Sequence, residues 1–135
     1  MTRWLNDTRG TTAIEFALVA PMFLAMLMGG LAFGTAVWNR NVLQNVAADA
    51  ARCFALGGPR CTTIPSWCAA GTATDCYIAD RARERGMPTN AIATAVNPSL
   101  VINGISYTSV SLTYPFRLLG YQISLSANAV FPNGS

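Results

Sequence analysis

The longest apolar stretch of the chain lies near its N-terminus, where the 23 residues from Phe16 to Trp38 carry no charge (FALVAPMFLAMLMGGLAFGTAVW). As a helix, this stretch extends about 35 Å at ~1.5 Å per residue, enough to cross a hydrocarbon core of ~30 Å. Pro21 and the glycines that follow it would weaken a soluble helix, whereas both residue types are more frequent in membrane helices. The pattern therefore predicts a transmembrane span over about residues 16–38, in contact with the lipid bilayer.

Two of the glycines in this stretch have a spacing that favours close helix contact. Gly30 and Gly34 match the small-xxx-small pattern, which lets two helix backbones approach each other. Together with Pro21 they are the candidate helix-packing residues.

Helical periodicity continues beyond Trp38. Apolar residues recur at helical spacing with polar residues opposite, at Val42, Leu43, Val46, Ala47, Ala50 and Phe54. Gly57, Gly58 and Pro59 then favour the end of a helix. We therefore predict one long helix over residues 11–56, preceded by a polar leader of residues 1–10.

The remaining residues, 57–135, predict a small mixed domain. Residues 57–76 are rich in Gly, Pro, Thr and Cys, which is typical of a loop, and residues 77–85 have the pattern of a short helix that ends at Gly86. Beyond Pro98 the alternation of apolar and polar residues changes to a period of two, which indicates strands.

Two strands are predicted from this alternation, over residues 110–116 and 121–131, with a turn at 118–120 between them. Residues 100–107 add a third strand around Asn103-Gly104, a common hairpin-turn pair. The fold class predicted is therefore α+β, with a single-span long N-terminal helix followed by a small disulfide-tied domain of antiparallel strands.

The four cysteines, Cys53, Cys61, Cys68 and Cys76, are spaced by 8, 7 and 8 residues. The chain has no Cys-x-x-Cys and no His, so neither a metal site nor a thioredoxin-like redox motif is indicated. Two disulfides are the favoured interpretation, and four free thiols are the alternative. Three pairings are open, including neighbour pairing and a Cys53–Cys76 bridge that would tie the short helix to the long one.

The cysteines also suggest an orientation in the membrane. Basic residues on the two sides of the span nearly balance, so the positive-inside rule does not decide. All four cysteines follow the span, and disulfides persist in oxidising compartments. We therefore expect a short tail inside and the cysteine-bearing domain outside.

Charge and chemistry exclude several function classes. Only 11% of the residues are charged, and the net charge of +3 comes from nine scattered arginines, which disfavours nucleic-acid binding. Arg81, Arg83 and Arg85 alternate with Asp80 and Glu84, as on a solvated helix face. The absence of His, of a nucleophile with a base and of a phosphate loop predicts that the chain is not an enzyme and has no catalytic residue or cofactor.

Glu15 is an ionisable residue at the mouth of the apolar stretch, and such residues in membrane segments are functional candidates. It follows Gly10 by five positions, directly precedes Phe16, and stands behind a leader that contains Arg3 and Arg9. This frame resembles the class III signal of type IV pilin-like proteins. The longer string GTTAIEFALVAPMFLAML is similar to TadE-like pseudopilins of tight-adherence (Flp) pilus systems, as are the later AADAARCFALG and the two terminal strands.

The resemblance implies a set of roles. A prepilin peptidase would cut between Gly10 and Thr11, leaving Glu15 as the fifth residue of the mature chain and Glu15-Phe16 as the assembly and recognition pair. The implied function is that of a minor pseudopilin that helps pilus assembly or initiation. The implied partners are the peptidase, other pilin and pseudopilin subunits, and the inner-membrane assembly platform. The implied location is the bacterial inner membrane, single pass, with the N-terminus cytoplasmic, the C-terminal domain periplasmic, and incorporation into an extracellular pilus left open.

Other interpretations predict different mature N-termini. Ala32-Phe33-Gly34 has the small-x-small form of a signal-peptidase site, so a secreted disulfide domain would begin near Thr35. A membrane-anchored enzyme or an unrelated single-span accessory protein would remain uncut at Met1. The resemblance also does not separate a TadE-type from a TadF-type pseudopilin.

Overall fold

The computed structural model of the protein describes residues 11–68, 71–118 and 120–134. Three helices precede three strands: α1 (Thr11–Ala55), α2 (Pro59–Thr62), α3 (Ala73–Glu84), β1 (Ala93–Ile102), β2 (Ile105–Leu118) and β3 (Tyr121–Pro132). The predicted α+β fold with one long N-terminal helix is confirmed. The chain divides into two compact units after Thr35, and the second unit contains the rest of α1 and all later elements.

Helix α1 ends one residue before the predicted Leu56. Gly57 adopts a positive φ of 62°, a conformation that glycine reaches without a Cβ penalty. The N–H groups of Gly57 and Gly58 donate to the carbonyls of Phe54 and Cys53 at 3.2 and 3.0 Å. The last turn of α1 is therefore closed by backbone hydrogen bonds, and Arg52 lies there at the negative end of the helix dipole.

Two short helices interrupt the segment predicted as a loop. Helix α2 begins at Pro59, whose fixed φ suits a first helical position. Helix α3 begins at Ala73, four residues earlier than predicted, because Thr72 and Asp75 form a capping box in which each side chain accepts from the other residue's backbone N–H. The helix ends at Glu84, just before Gly86 at φ 74°.

The sheet is antiparallel in the order β1-β2-β3. Asn103 and Gly104, both at positive φ, form the two-residue turn between β1 and β2 that their sequence predicts. A third strand is confirmed, but its predicted bounds of 100–107 are wrong, because the turn divides this segment between the end of β1 and the start of β2. Strand β1 starts earlier, at Ala93, and contains a register shift between Asn97 and Leu100. Pro98 lies within this bulge, which interrupted the alternation that strand prediction relies on.

The core of the second unit lies between one face of the sheet and the helices. Its fully buried large side chains come from α1 (Leu43 and Val46), α3 (Ile78) and β2 (Val110 and Leu112). Alternate residues of β2 and β3 face this core, as expected for a sheet with one covered face. Thr108 is buried among them at 2% exposure.

Two disulfides join neighbouring cysteines. Cys53–Cys61 links the end of α1 to α2 with a Cα–Cα distance of 6.1 Å, and Cys68–Cys76 links the loop to α3 at 5.9 Å. The Cys53–Cys76 bridge, one of the open alternatives, is not formed. Each bridge closes a small loop and stabilises the fold by about 2–4 kcal/mol on the chain-entropy account.

Candidate functional site: the apolar half of α1

The first half of α1 exposes an almost entirely apolar surface. Among the described residues, α1 is the one helix long and apolar enough to cross a membrane, and none of its most apolar 18-residue window is buried within the chain. Its exposed large side chains are Ile14, Phe16, Leu18, Val19, Met22, Phe23, Leu24, Met26, Leu27, Met28, Leu31, Phe33, Val37 and Trp38. Such a surface is far larger than the apolar patches of soluble monomers, so it requires lipid or partner helices around it.

Glu15 lies in the second turn of α1, one residue before Phe16. Both side chains are exposed, and Phe16 is 74% exposed. Within the described residues, no hydrogen bond or ion pair engages the Glu15 carboxylate. The chain therefore presents a carboxylate at the edge of an apolar surface, where a partner from outside this part of the chain can reach it.

Of the two residues that flank the predicted processing bond, the structure describes Thr11, which is helical and belongs to α1. Gly10, together with the rest of the predicted leader, lies outside the described residues, so the processing site stays a prediction.

A shallow groove follows Glu15 along the helix. It is lined only by apolar side chains, those of Phe16, Val19, Ala20, Phe23 and Leu24. Pro21 lies beside it within a continuous helix. Because proline has no N–H, the carbonyl of Ala17 loses its intrahelical donor there, which membrane helices tolerate when a neighbour supplies one.

Gly30 and Gly34 lie on one face of α1, since they are four residues apart. A Cβ atom built at either position meets no atom within 4 Å, and the same holds for Gly29. No contact within the described residues therefore requires glycine at these positions. The open space along Gly30 and Gly34 leaves room for a neighbouring helix, and their packing role stays a prediction.

Two basic residues of the second unit, Arg81 in α3 and Arg85 directly after it, form ion pairs. Arg81 Nη1 lies 2.7 Å from Glu84 Oε2, and Arg85 Nη2 lies 2.7 Å from Asp49 Oδ2 on α1. Hydrogen bonds to the Tyr77 hydroxyl and to Glu84 raise the pKa of Arg81 above its ordinary value. These pairs are those expected where acidic and basic residues alternate along a partly exposed helix face.

The molecule is thus defined as an α+β protein with one membrane-span-capable helix, a carboxylate near the start of that helix and a disulfide-bonded domain after it. Residues 10–52 match the family model of TadE-like proteins. The match confirms the resemblance over this segment, which runs from the predicted processing glycine to the last turn of α1. No significant match is found among curated proteins or among solved structures.

One contact had no signal in the sequence. Gln44 of α1 reaches the edge of the sheet, where its Nε2 donates to the backbone carbonyl of Asn128 at 2.8 Å. These residues are 84 positions apart, and neither belongs to a motif. The sequence gives one weak indication of this region, which is its lack of charge. Arg117 is the one charged side chain between residues 87 and 134.

Proposed function

We propose that this chain is a minor pseudopilin of a tight-adherence pilus system, anchored in the membrane by α1 and taking part in pilus assembly or initiation. The observation that supports this best is the TadE-like match over residues 10–52, because it covers the exposed apolar helix and Glu15 together. The role is structural and not catalytic.

A prepilin peptidase processes the chain between Gly10 and Thr11. A small residue before the bond leaves the peptidase unobstructed at the membrane interface, and glycine has no side chain. Cleavage makes Thr11 the N-terminus, releases its amine and places Glu15 at position five of the mature chain. Glu15 and Phe16, which follow the predicted cleavage site, both lie in α1.

Glu15 pairs with the N-terminal ammonium of a neighbouring subunit. A carboxylate costs ~2.5–3.5 kcal/mol at the centre of a bilayer and less near the interface. When two subunits are in register, the ammonium of one offsets the cost of the carboxylate of the other. When they are out of register, the carboxylate has no partner and its cost remains. The carboxylate is exposed and has no partner within the described residues, which supports this role and would make Glu15 a check on register as well as a contact.

The short N-terminal segment faces the cytoplasm and the disulfide-bonded domain faces the periplasm. The two disulfides support this orientation because they require an oxidising compartment. The partners are then the peptidase, other pilin-like subunits and the inner-membrane assembly platform, and the chain is available for incorporation into the pilus.

The mature N-terminus, measured by intact mass or end sequencing of the protein from native membranes, tests the proposal. We expect a start at Thr11 that changes to the uncut chain when the prepilin peptidase is deleted or when Gly10 is replaced by a bulky residue. Ala32→Arg is the matched control, because it blocks the small-x-small site of the secreted alternative and leaves Gly10 intact. A start near Thr35, abolished by Ala32→Arg, would refute the pseudopilin assignment.

A further inference from the structure

The two edges of the sheet differ in how well they resist pairing with another strand. The β1 edge is interrupted by the bulge between Asn97 and Leu100, and it contains Pro98. Bulges and prolines are devices that protect sheet edges. Strand β3 pairs with β2 along one side and has no charge, no bulge and no proline before Pro132. Its other side is a long edge without these protections.

Three contacts show which backbone groups of β3 face this free edge. Asn133 donates its N–H to Ser106 on β2, so odd-numbered residues face β2. The carbonyl of Asn128 accepts from Gln44 on the opposite side. Ser124 is opposite Pro115, which has no N–H to donate to it. The N–H and C=O groups of even-numbered residues therefore point outward.

The Gln44 side chain limits the free part of this edge. Because Gln44 already occupies the carbonyl of Asn128, the outward-facing residues left without such a contact before it are Gln122, Ser124 and Ser126. Backbone groups in this spacing have one matching partner, an extended strand. The stretch is centred on Ser124, so an antiparallel copy of itself satisfies all of it.

We infer that a second copy of this chain pairs here, β3 against β3 and antiparallel, with Ser124 opposite Ser124 of the other copy. Gln122 then lies opposite Ser126 in both directions, and about six main-chain hydrogen bonds form. The two-fold symmetry makes the contact self-complementary. Two identical charged strands would repel each other when paired, and β3 avoids this because it has no charged side chain.

Side chains on the core side of β3 support the same register. Tyr121 and Ile123 are 78% and 46% exposed although they lie on the face of the sheet that carries the core. The pairing places Ile123 opposite Leu125 of the second copy and Tyr121 opposite Ala127. Ile123 thus gains an apolar neighbour, the large Tyr121 lies beside a small alanine, and both exposed residues gain cover that this chain alone does not provide.

Cross-linking of the full-length chain in membranes tests the contact. In the proposed pairing, the Cα atoms of the two Ser124→Cys residues are about 5.5 Å apart, so a short bismaleimide can join their thiols. The native cysteines remain in disulfides and do not react. Ser99→Cys is the matched control, an exposed serine in the β1 bulge. We expect at least ten-fold more dimer with Ser124→Cys. Equal yields, or cross-linking of Ser124→Cys to a different protein only, would overturn the inference.

Two further variants test the register and the hydrogen bonding. When Gln122→Cys and Ser126→Cys chains are mixed, we expect each variant to cross-link to the other and not to a second copy of itself. In the proposed register, residue 122 of one copy lies opposite residue 126 of the other. Ser126→Pro removes one outward N–H and no bond to β2, so it should reduce the Ser124→Cys dimer at least ten-fold. An unchanged dimer in a folded Ser126→Pro chain, or self-pairing at 122, would contradict the proposed pairing. None of these measurements depends on the peptidase or on pilus formation, so their failure is separate from failure of the proposed function.

Discussion

The side-chain carbonyl of Asn133 accepts a hydrogen bond from the buried hydroxyl of Thr108 at 2.7 Å. The amide nitrogen of the same Asn133 side chain donates to the carbonyl of Pro98 at 2.9 Å, within the β1 bulge. One side chain after the last strand therefore connects the middle strand to the irregular part of the first. Since buried polar groups are costly without partners, this contact explains how a hydroxyl is accommodated in the core.

Asn133→Ala should lower the free energy of unfolding by about 1–3 kcal/mol, because it leaves the Thr108 hydroxyl buried without a partner. The measurement is urea unfolding of the full chain in mild detergent. Thr108→Val in the Asn133→Ala background removes the unpaired hydroxyl and should restore part of the loss. If the two substitutions are strictly additive, the contact does not stabilise the fold in the way stated here.

Removing either disulfide with a pair of serines should cost about 2–5 kcal/mol of stability, since each bridge anchors a short helix of a small domain. The pairing itself is checked by mass spectrometry of a non-reduced digest. Peptides joining Cys53 to Cys61 and Cys68 to Cys76 are expected. A peptide joining Cys53 to Cys76 would show that the bridge tying α3 to α1 forms instead.

Glu15→Gln should impair pilus assembly and leave membrane insertion unchanged. The amide keeps the shape of the side chain but removes the charge that would pair with a neighbour's ammonium. Pilus yield and the amount of the chain in the membrane fraction are the two readouts, with Glu15→Asp as the control that keeps the charge. Normal pili from the Gln variant would exclude the pairing role.

Gly30→Leu should leave the stability of the disulfide-bonded domain unchanged, because a Cβ atom at this position points into open space in the described part of the chain. If the face bearing Gly30 and Gly34 packs against another helix, the same change should reduce self-association in membranes several-fold. Gly29→Leu is the control, since it adds the same side chain about 100° around the helix. Equal effects of the two variants would argue against a specific helix contact.

The elements that could be predicted are those whose sequence pattern is continuous. The uncharged stretch from residue 16 to 38 and the stop at Gly57 located α1 to within one residue of its observed end. Regular alternation located β3 to within one residue and the central part of β2, whose first five residues fall outside the predicted strand. The start of β1 was missed because the bulge at Pro98 breaks the alternation, and α2 was missed because four residues are too few to show a period.

The candidate site likewise has a part that the sequence predicts and a part that it does not. Glu15 and Phe16 could be identified from their position relative to Gly10 and the apolar stretch, since that frame is local in sequence. The free edge of β3 could not, because it depends on which side of the strand each backbone group faces and on Gln44, which is distant in sequence. Local order along a chain does not reveal contacts between segments that only folding brings together.

The bulge and proline of β1 limit how large an assembly the sheet can support. If β3 were joined to β3 while β1 also accepted a strand, each added copy would expose a new receptive edge, and the sheet would grow into a fibre. Because Pro98 and the bulge prevent pairing at β1, the dimer forms through the β3 edges of the two copies. The result is a six-stranded sheet whose two outer strands, both β1, do not accept another strand. The irregularity in β1 therefore favours a finite assembly over open-ended polymerisation through the sheet.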